Sequence, residues 1–428
     1  MTPAHTPLGD THNFGRRVGL RGDRVEKPRT IVWERLLLGV DSPLRRLLDE
    51  AAERDAPGQE MFGFLPRLAF YPSDSGPGGE VERVELEALG EISGEGRRGL
   101  AEIVGRSVAL WSWLGVADLH WENLVLGRDG AGRVIFGPLD VEMILADLTL
   151  PTHTKLLPDA DPEYAEICRH ACGVRRVLPY LGKPVSVSDL VAMAAAYRGT
   201  LLFLERHAAA IAEVFAGLPG LGETPIRLCL RGTDEYVRAR SEPVWPPLLD
   251  GEVVQMARGD IPYFFRLLGR PGIHYYGDPT LTRLERLPMQ GDVPQLEPLL
   301  PVGRGLRAKS RKSLREEGLF ALLGAFDHPS FSGRHEHEGL AVTFERRELV
   351  LELPDGEELA TRRNLSAFVG SVYLPCRCGE VRTVFVPQVT TCDATPGHAR
   401  EDGRAEGRGK GAGKARAKAP GKAGRRAR

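Results

Sequence analysis

Three polar residues between positions 118 and 140 have the types that phosphoryl transfer requires. Asp118 and Asn123 lie in the segment DLHWEN, and Asp140 follows in PLDVE. An amide oxygen and a carboxylate are hard oxygen ligands of the kind that hold Mg²⁺ against nucleotide phosphates. A second carboxylate that is not committed to the metal can orient and deprotonate an attacking hydroxyl group. Asn123 and Asp140 are therefore candidate metal ligands, and Asp118 is a candidate catalytic carboxylate.

A predicted β-hairpin would bring these three residues together. Residues 124–126 and 133–136 have strand-like composition, and residues 129–132 supply turn chemistry between them. Asn123 directly precedes the first strand and Asp140 follows the second. An antiparallel pair would place both side chains at one end, beside Asp118. The alternative is that Asp118 and Asn123 only satisfy a turn, while Asp140 is a surface acid.

A second predicted hairpin, near the N-terminus, offers a cation and a glycine-containing loop. The segment GDTHNFGR at residues 9–16 leads into two strands predicted over residues 14–20 and 24–33, on either side of a turn at residues 21–23, and the second strand contains Lys27. Backbone N–H groups at a hairpin tip can lie over a phosphate, and a lysine can reach that phosphate as a point charge. Alone, such a pattern is more often an ordinary hairpin without a ligand.

Several motifs, taken in order, resemble a known family. GDTHNFGRRV, EKPR, LGVADLHWENLVLG, PLDVE, LPTHTKLLP and RLCLRGTDEY occur in this order, and DIPYF follows at residues 260–264. Over residues 8–280 the chain resembles the dehydratase domain of class II lanthipeptide synthetases, the enzymes of lantibiotic biosynthesis. The resemblance implies a lipid-kinase-like fold, ATP and Mg²⁺ as cofactors, and a ribosomally made precursor peptide as substrate. It implies that Ser and Thr of that peptide are phosphorylated and that the phosphate is then eliminated.

The resemblance also implies roles for individual residues. The implied catalytic residues are Asp118, His120, Arg227 and Thr233; those that contact the nucleotide are Asp10, His12 and Lys27; and those that hold or support the metal are Asn123, Asp140 and Glu142. Arg227 and Thr233 match the pair associated with phosphate elimination, and a guanidinium can bind a departing phosphate through two hydrogen bonds. Without the resemblance, Arg227 reads as a strand arginine that pairs with a neighbouring acid.

Three features depart from the family pattern. Family members carry a long segment before the D-x-H motif, which begins here at Asp10, so we expect a partial small lobe. Glu26 precedes Lys27 where an aromatic residue is usual. The zinc-dependent cyclase domain of the family does not fit into the roughly 150 residues after position 280. We therefore expect no ring closure from this chain, and a separate cyclase is a candidate partner.

The predicted fold class is α+β: a two-lobed, lipid-kinase-like catalytic domain, a small β-rich C-terminal region and a disordered basic tail. We assign residues 1–90 to a partial small lobe, 91–305 to a large lobe with the catalytic motifs, 306–395 to a C-terminal α/β region, and 396–428 to the tail. Apolar spacing predicts helices over residues 32–52, 99–114, 309–326 and most of 160–217. It predicts strands over residues 226–237 and within 339–359.

Composition sets the expected compartment and partners. The chain has 428 residues, a formal net charge of −1 and six cysteines. The cysteines are too few and too irregular for a disulfide framework, and we expect a cytoplasmic protein without a signal peptide or membrane span. Residues 400–428 carry 11 Lys or Arg against 3 Asp or Glu. Such a tail is expected to be disordered, and a solvated tail is favoured over a nucleic-acid contact.

The remaining candidate sites carry less weight. Cys168 and Cys172 could share a helix face, but buried cysteines without a ligand are more common. The CxC at residues 376–378, with Cys392, could bind zinc but shows no fourth ligand at a good spacing. The histidines of GRHEHEG at residues 333–339 read as a polar loop. Two rival functions stay open: a peptide kinase that stops at phosphorylation, and a degenerate module that binds a peptide or partner without turnover.

Overall fold

Small antiparallel sheets and helices follow one another along the chain. The computed structural model describes residues 5–58, 60–73, 77–145, 151–158, 172–244, 247–287, 314–326, 333–345, 348–356, 358–362, 371–375 and 381–385. Within these residues the fold is mixed α+β, with several small antiparallel sheets, which confirms the predicted class at this level. The predicted tail and the cysteines at 168, 376, 378 and 392 lie outside the described residues.

The N-terminal sheet has five strands in the order β1-β2-β3-β5-β4. They are β1 (His5–His12), β2 (Arg16–Arg21), β3 (Arg24–Lys27), β4 (Phe70–Pro72) and β5 (Gly79–Glu82). The predicted hairpin is confirmed, because β2 pairs with β3 around Gly22, whose φ of 62° suits glycine. The second strand ends at Lys27, earlier than expected, and Trp33 already lies in a helix.

The predicted helix over residues 32–52 is two helices. They are α1 (Val32–Leu38) and α2 (Pro43–Asp55). The break has a local cause: the Ser42 side chain accepts a hydrogen bond of 3.0 Å from the Arg45 N–H, and Pro43 occupies the first position of α2. Serine as a cap followed by proline is a strong start signal for a new helix.

Two long helices form the centre of the core. They are α3 (Gly94–Trp113), which extends the helix predicted over residues 99–114, and α5 (Val187–Arg206); the short helices α4 (Leu178–Leu181) and α6 (Ala208–Ala216) flank α5. Among the described residues, α5 is the one helix long and apolar enough to cross a membrane, and 72% of its most apolar stretch is buried in the fold. The two helices approach closely at Gly105, where a Cβ atom would lie 2.1 Å from the Met193 carbonyl oxygen.

The β-hairpin predicted over residues 124–136 is confirmed. It consists of β6 (Leu124–Arg128) and β7 (Val134–Pro138), which pair in antiparallel register from Leu124 opposite Pro138 to Arg128 opposite Val134. The turn is held by the Asp129 side chain, which accepts hydrogen bonds from the N–H groups of Ala131 and Arg133. This is the turn chemistry expected of aspartate.

A second four-stranded sheet follows, in the order β11-β10-β9-β8. Its strands are β8 (Ile226–Leu228), β9 (Phe264–Leu267), β10 (Arg270–Tyr276) and β11 (Leu284–Arg286), and helices α7 (Thr233–Ala239) and α8 (Asp250–Ala257) lie between β8 and β9. The strand predicted over residues 226–237 was wrong beyond Leu228. A helix begins at Thr233 because the Glu235 side chain accepts a hydrogen bond from the Gly232 N–H, which caps the first turn.

The C-terminal region contains one helix and two further antiparallel sheets. They are α9 (Glu317–Gly324), the sheet β12 (Gly333–His337), β13 (Leu340–Glu345), β14 (Glu348–Glu352) and β15 (Glu358–Arg362), and the pair β16 (Ser371–Pro375) and β17 (Val381–Phe385). The strands predicted within residues 339–359 are confirmed. His335 and His337 lie on strand β12, so the polar loop predicted for them was wrong.

The contact between α3 and α5 yields a test of the core. Gly105→Ala should lower the free energy of unfolding by about 1–3 kcal/mol, because the new methyl group has no space against the Met193 carbonyl. Gly99→Ala is the matched control, since it lies in the same helix with nothing within 4 Å of the added carbon. It should be neutral or stabilising by about 0.5–1 kcal/mol. Urea denaturation of both variants measures the difference, and equal stabilities would contradict the close approach.

Candidate functional site

One cavity of about 370 Å³ collects most of the residues that the sequence singled out. Nine of the ten candidate site residues line it: Asp10, His12, Asp118, His120, Asn123, Asp140, Glu142, Arg227 and Thr233. They come from strand β1, the segment before β6, the segment after β7, strand β8 and the start of α7. Lys27 is the exception, and it lies behind the cavity wall.

The β6–β7 hairpin brings Asn123 and Asp140 to the same end. The Leu139 N–H donates to the Asn123 carbonyl oxygen at 2.9 Å, which continues the β6–β7 ladder past the strand ends. The Asn123 side chain donates its Nδ2 hydrogen to the Asp118 carbonyl oxygen at 2.9 Å. This bond leaves the amide oxygen Oδ1 as the atom that Asn123 can offer to a ligand.

Asp118 stands at a strained point of the backbone and pairs with a lysine that sequence reasoning missed. Its φ is 65°, a conformation that non-glycine residues rarely adopt outside functional sites and turns. The Lys155 Nζ atom lies 3.1 Å from the Asp118 Oδ1 atom. The loop that carries Lys155 is fixed next to Asp118, because the Leu119 N–H donates to the Thr154 carbonyl oxygen at 2.9 Å. Lys155 belongs to the quoted motif LPTHTKLLP, but its spacing alone does not reveal this contact.

Lys27 is buried in an ion pair rather than exposed to the cavity. Its Nζ atom lies 2.8 Å from both carboxylate oxygens of Glu34, on helix α1, and 2.6 Å from the Leu139 carbonyl oxygen. Only 5% of the Lys27 residue is exposed. Direct contact of Lys27 with a phosphate therefore requires that one of these bonds be exchanged.

Arg29 is the second residue that sequence reasoning missed, and it is the cation closest to the candidate metal ligands. Its guanidinium lies 2.5 Å from Asp140 Oδ1, 3.0 Å from Glu142 Oε1 and 2.9 Å from Glu34 Oε1. It belongs to the quoted segment EKPR. Because Arg29 and Asp140 are 111 positions apart, no local sequence pattern indicates that they pair. Arg29 bridges three carboxylates of the site.

The charges around Asp140 keep it ionised. Burial raises the pKa of this carboxyl, but the positive charges of Arg29, Lys27 and Arg227 outweigh burial and hold its pKa well below the usual range. The pKa of the Arg29 guanidinium lies well above its ordinary value, because its burial is outweighed by the charges of Asp140 and Glu142. Asp140 is therefore an anion and Arg29 a cation at neutral pH.

Both oxygen atoms of Glu142 are engaged within the protein. Oε1 lies 2.8 Å from the Arg227 Nη1 atom and 3.0 Å from the Arg29 Nε atom. Oε2 accepts a hydrogen bond of 2.7 Å from the Tyr263 hydroxyl. These contacts leave Glu142 little room to act as a metal ligand. Arg227 pairs with this neighbouring acid, as the simpler interpretation of its sequence position predicted, and it also lines the cavity.

His12 enters the cavity as a neutral imidazole. Burial, followed by the nearby positive charge of Arg227, lowers its pKa from 6.5. Its Nδ1 atom lies 2.7 Å from the Ile261 carbonyl oxygen, which can only accept, so Nδ1 carries the hydrogen. The Nε2 atom is then a hydrogen-bond acceptor. His12 can accept a proton there, but it does not supply a positive charge to a phosphate.

The glycine-containing loop does not offer its N–H groups to the cavity as expected. Asn13, Phe14 and Gly15 have positive φ values, and the N–H groups of Phe14 and Gly15 donate to the Asp260 carboxylate at 2.7 and 2.8 Å. Successive N–H groups in such a turn form an anion-binding concavity. Here that concavity already holds Asp260, so the predicted phosphate contact through these two groups was wrong.

His120 and Thr233 both line the cavity. The His120 Nδ1 atom is 4.0 Å from the Glu122 carboxylate, at the limit of an ion pair. Thr233 is the first residue of α7 and is exposed. The structure thus brings both residues to the predicted place, and their roles stay predictions.

The donor atoms around Asn123 and Asp140 fit Mg²⁺ in type. Mg²⁺ is commonly held by one or two protein oxygens, substrate phosphates and water rather than by a complete protein cage. The described residues contain no group of three or more His, Cys, Asp or Glu side chains that could hold a metal ion. The Asn123 amide oxygen and the Asp140 carboxylate are the two groups that could contact Mg²⁺ here, and Arg29 occupies one oxygen of the carboxylate.

No protein-family model matches this chain, and no curated protein matches its sequence. The geometry of the cavity is therefore the basis for a functional assignment.

The titration of His12 can be tested through stability. Because burial keeps its pKa below 6.5 in the folded chain, the unfolded chain binds a proton first as the pH falls. The free energy of unfolding should therefore decrease as the pH drops below about 6.5, by at most about 1.4 kcal/mol per pH unit for one group. In His12→Asn, urea denaturation at a series of pH values should show a smaller decrease. His153, whose pKa burial lowers to about 4, gives a background of the same sign in both proteins. Parallel curves for the two proteins would contradict the buried neutral state of His12.

Proposed function

We propose that this chain is an ATP-dependent dehydratase that acts on Ser and Thr of a ribosomally made precursor peptide. In this proposal it corresponds to the dehydratase part of a class II lanthipeptide synthetase and works in the cytoplasm, and a separate cyclase is a candidate partner. The observation that carries the proposal is the composition of the cavity. Residues separated by more than 200 positions, from Asp10 to Thr233, line one space.

Two observations support a kinase-like arrangement. Lys27 on strand β3 bonds Glu34 on helix α1, as the strand lysine and helix glutamate of kinases do. Asn123 and Asp140 flank the β6–β7 hairpin, where an amide and a carboxylate can hold Mg²⁺. In the proposed two-lobed fold, the five-stranded sheet with α1 forms the small lobe and the helices around α3 form the large lobe.

The first proposed step is phosphoryl transfer. The hydroxyl oxygen of a substrate Ser or Thr attacks the γ-phosphorus of ATP, the bond from that phosphorus to the β-phosphate oxygen breaks, and ADP leaves. Asp118 takes the hydroxyl proton. When bound at Asn123 and Asp140, Mg²⁺ neutralises phosphate charge. Lys155, held on Asp118, is the cation placed to exchange that contact for the incoming phosphoryl group.

The second proposed step is elimination of the phosphate from the peptide. A base removes the α-proton, the electron pair forms the Cα–Cβ double bond, and the Cβ–O bond breaks with its electrons passing to the phosphate. Arg227 can bind the departing dianion through two N–H groups, which lowers the barrier to bond cleavage. Its position on the cavity wall, away from the Asp118–Asn123 segment in sequence, supports a separate role.

One contact favours the non-catalytic alternative. Arg29 already pairs with Asp140, so a binding module that has lost metal-dependent turnover would keep this ion pair permanently. The competing dehydratase proposal requires that Arg29 share or release Asp140 when the nucleotide arrives. The kinase alternative, without elimination, differs only in the fate of the phosphorylated peptide.

Metal-dependent nucleotide binding separates the catalytic proposals from the binding module. ATP should raise the melting temperature of the chain only in the presence of Mg²⁺, with a stabilisation of about 2.7 kcal/mol at roughly 100 times the dissociation constant. Asp140→Asn should abolish the shift relative to its own ligand-free value, because the metal loses a charged ligand. Asp49→Asn, a surface aspartate paired with Arg67, is the matched control and should keep it. An equal shift in EDTA would contradict the metal assignment.

Variants of Asp118 and variants of the elimination residues Arg227 and Thr233 should stop the proposed reaction at different steps. Asp118→Asn should leave the peptide unmodified, with a loss of about 100-fold or more, since general-base contributions have this size. Arg227→Ala and Thr233→Ala should complete phosphorylation and accumulate phosphopeptide. Arg67→Ala, a surface arginine, is the control for Arg227→Ala. Mass spectrometry of a cognate precursor measures the products, and normal dehydration by Arg227→Ala would exclude the two-step assignment.

A further inference from the structure

Tyr263 contacts the Arg227 side chain directly and through Glu142. The residue directly precedes strand β9, lines the cavity and is 3% exposed. Its hydroxyl donates to Glu142 Oε2 at 2.7 Å. Its ring faces the Arg227 guanidinium, whose central carbon lies 5.2 Å from the ring centroid. This separation is within the range of a cation–π contact.

Arg227 is held by the same two neighbours along its whole length. The Arg227 N–H donates to the Glu142 carbonyl oxygen at 3.0 Å, and the Nη1 atom donates to Glu142 Oε1 at 2.8 Å. Strand β8 pairs Arg227 with Phe265, two residues beyond Tyr263. Arg227, Glu142 and Tyr263 therefore form a closed triangle, in which each member touches the other two.

The triangle fixes the direction of a side chain that is otherwise flexible. An arginine on a cavity wall has several rotatable bonds, and two-point binding of phosphate needs its planar group in one orientation. The Tyr263 hydroxyl donates to one oxygen of Glu142, and Arg227 donates to the other, so the carboxylate is held between the two side chains. About 19% of the Arg227 side chain stays exposed, which leaves it accessible from the cavity.

We infer that Tyr263 is a positioning residue that, through Glu142, aims Arg227 at the phosphate group leaving the peptide. The inference deepens the proposed function and rests on its elimination step. It also assigns Glu142 to Arg227 rather than to the metal.

The first test needs neither a peptide nor ATP. The probe is inorganic phosphate, titrated calorimetrically into the full-length chain. Wild type should bind phosphate, and Arg227→Ala should weaken binding about 100-fold, as the loss of charge-assisted hydrogen bonds predicts. Tyr263→Phe keeps the ring and removes one hydrogen bond, so binding should weaken roughly fivefold to tenfold. Tyr276→Phe is the matched control: Tyr276 is 7% exposed, packs on the same Phe265 ring and should leave phosphate binding unchanged.

A double-mutant cycle shows whether Tyr263 acts through Arg227. In the Arg227→Ala background, Tyr263→Phe should have no further effect on phosphate binding, whereas a merely structural role would add its own loss. A binding constant for Tyr263→Phe equal to that of wild type would overturn the inference. Additive losses, or a wild type that does not bind phosphate, would overturn it as well.

A second readout separates this inference from the proposed function. Binding of ADP with Mg²⁺ should be equal in wild type and Tyr276→Phe, because Tyr276 is not among the residues that line the cavity. If wild type binds phosphate through Arg227 but does not bind ADP, the proposed function fails while the positioning role of Tyr263 stands.

Discussion

A buried network of alternating charges is the constraint on which the site depends. Three cations, Lys27, Arg29 and Arg227, face three carboxylates, Glu34, Asp140 and Glu142, with separations of 2.5–3.0 Å. Removing one partner from such a buried pair typically costs about 3–5 kcal/mol, because the other charge stays desolvated and unpaired. Each member is thus held by the others. The network joins strand β3, helix α1, the segment after β7 and strand β8. It therefore holds the wall of the cavity in place.

The balance of this network sets a condition on ligand binding. With three positive and three negative groups, the network is formally neutral, and a metal ion at Asp140 would add two positive charges beside Arg29. In the proposed function, nucleotide phosphates would supply the compensating negative charge, so metal and nucleotide would bind together rather than singly.

Local patterns predicted the parts of the site that are built from one chain segment. The turn residues after β6 and the position of Asn123 and Asp140 at the strand ends were enough to predict the hairpin, because a two-stranded turn is a short-range structure. The contacts of Arg29, Lys155 and Tyr263 could not be predicted in this way. Each joins segments that are distant in sequence, and a burial-driven ion pair has no periodic signal. The same applies to Asp260, which takes the N–H groups that the loop sequence had suggested for phosphate. The helix that begins at Thr233 was mistaken for part of a strand, because it directly follows a segment in which Ile226, Leu228 and Leu230 alternate with other residues.

The stoichiometry of the proposed reaction tests whether this chain dehydrates Ser and Thr through a phosphorylated peptide. A peptide rich in Ser, Thr and Cys, encoded beside this chain, would be incubated with wild type and Mg-ATP, and ADP, free phosphate and peptide mass would be followed together. The account predicts one ADP and one free phosphate for each residue that loses water, because every dehydration passes through one phosphorylated residue. ADP formation matched by phosphate that stays on the peptide would contradict elimination. A peptide of unchanged mass would contradict catalysis altogether and leave the non-catalytic module as the explanation of the cavity.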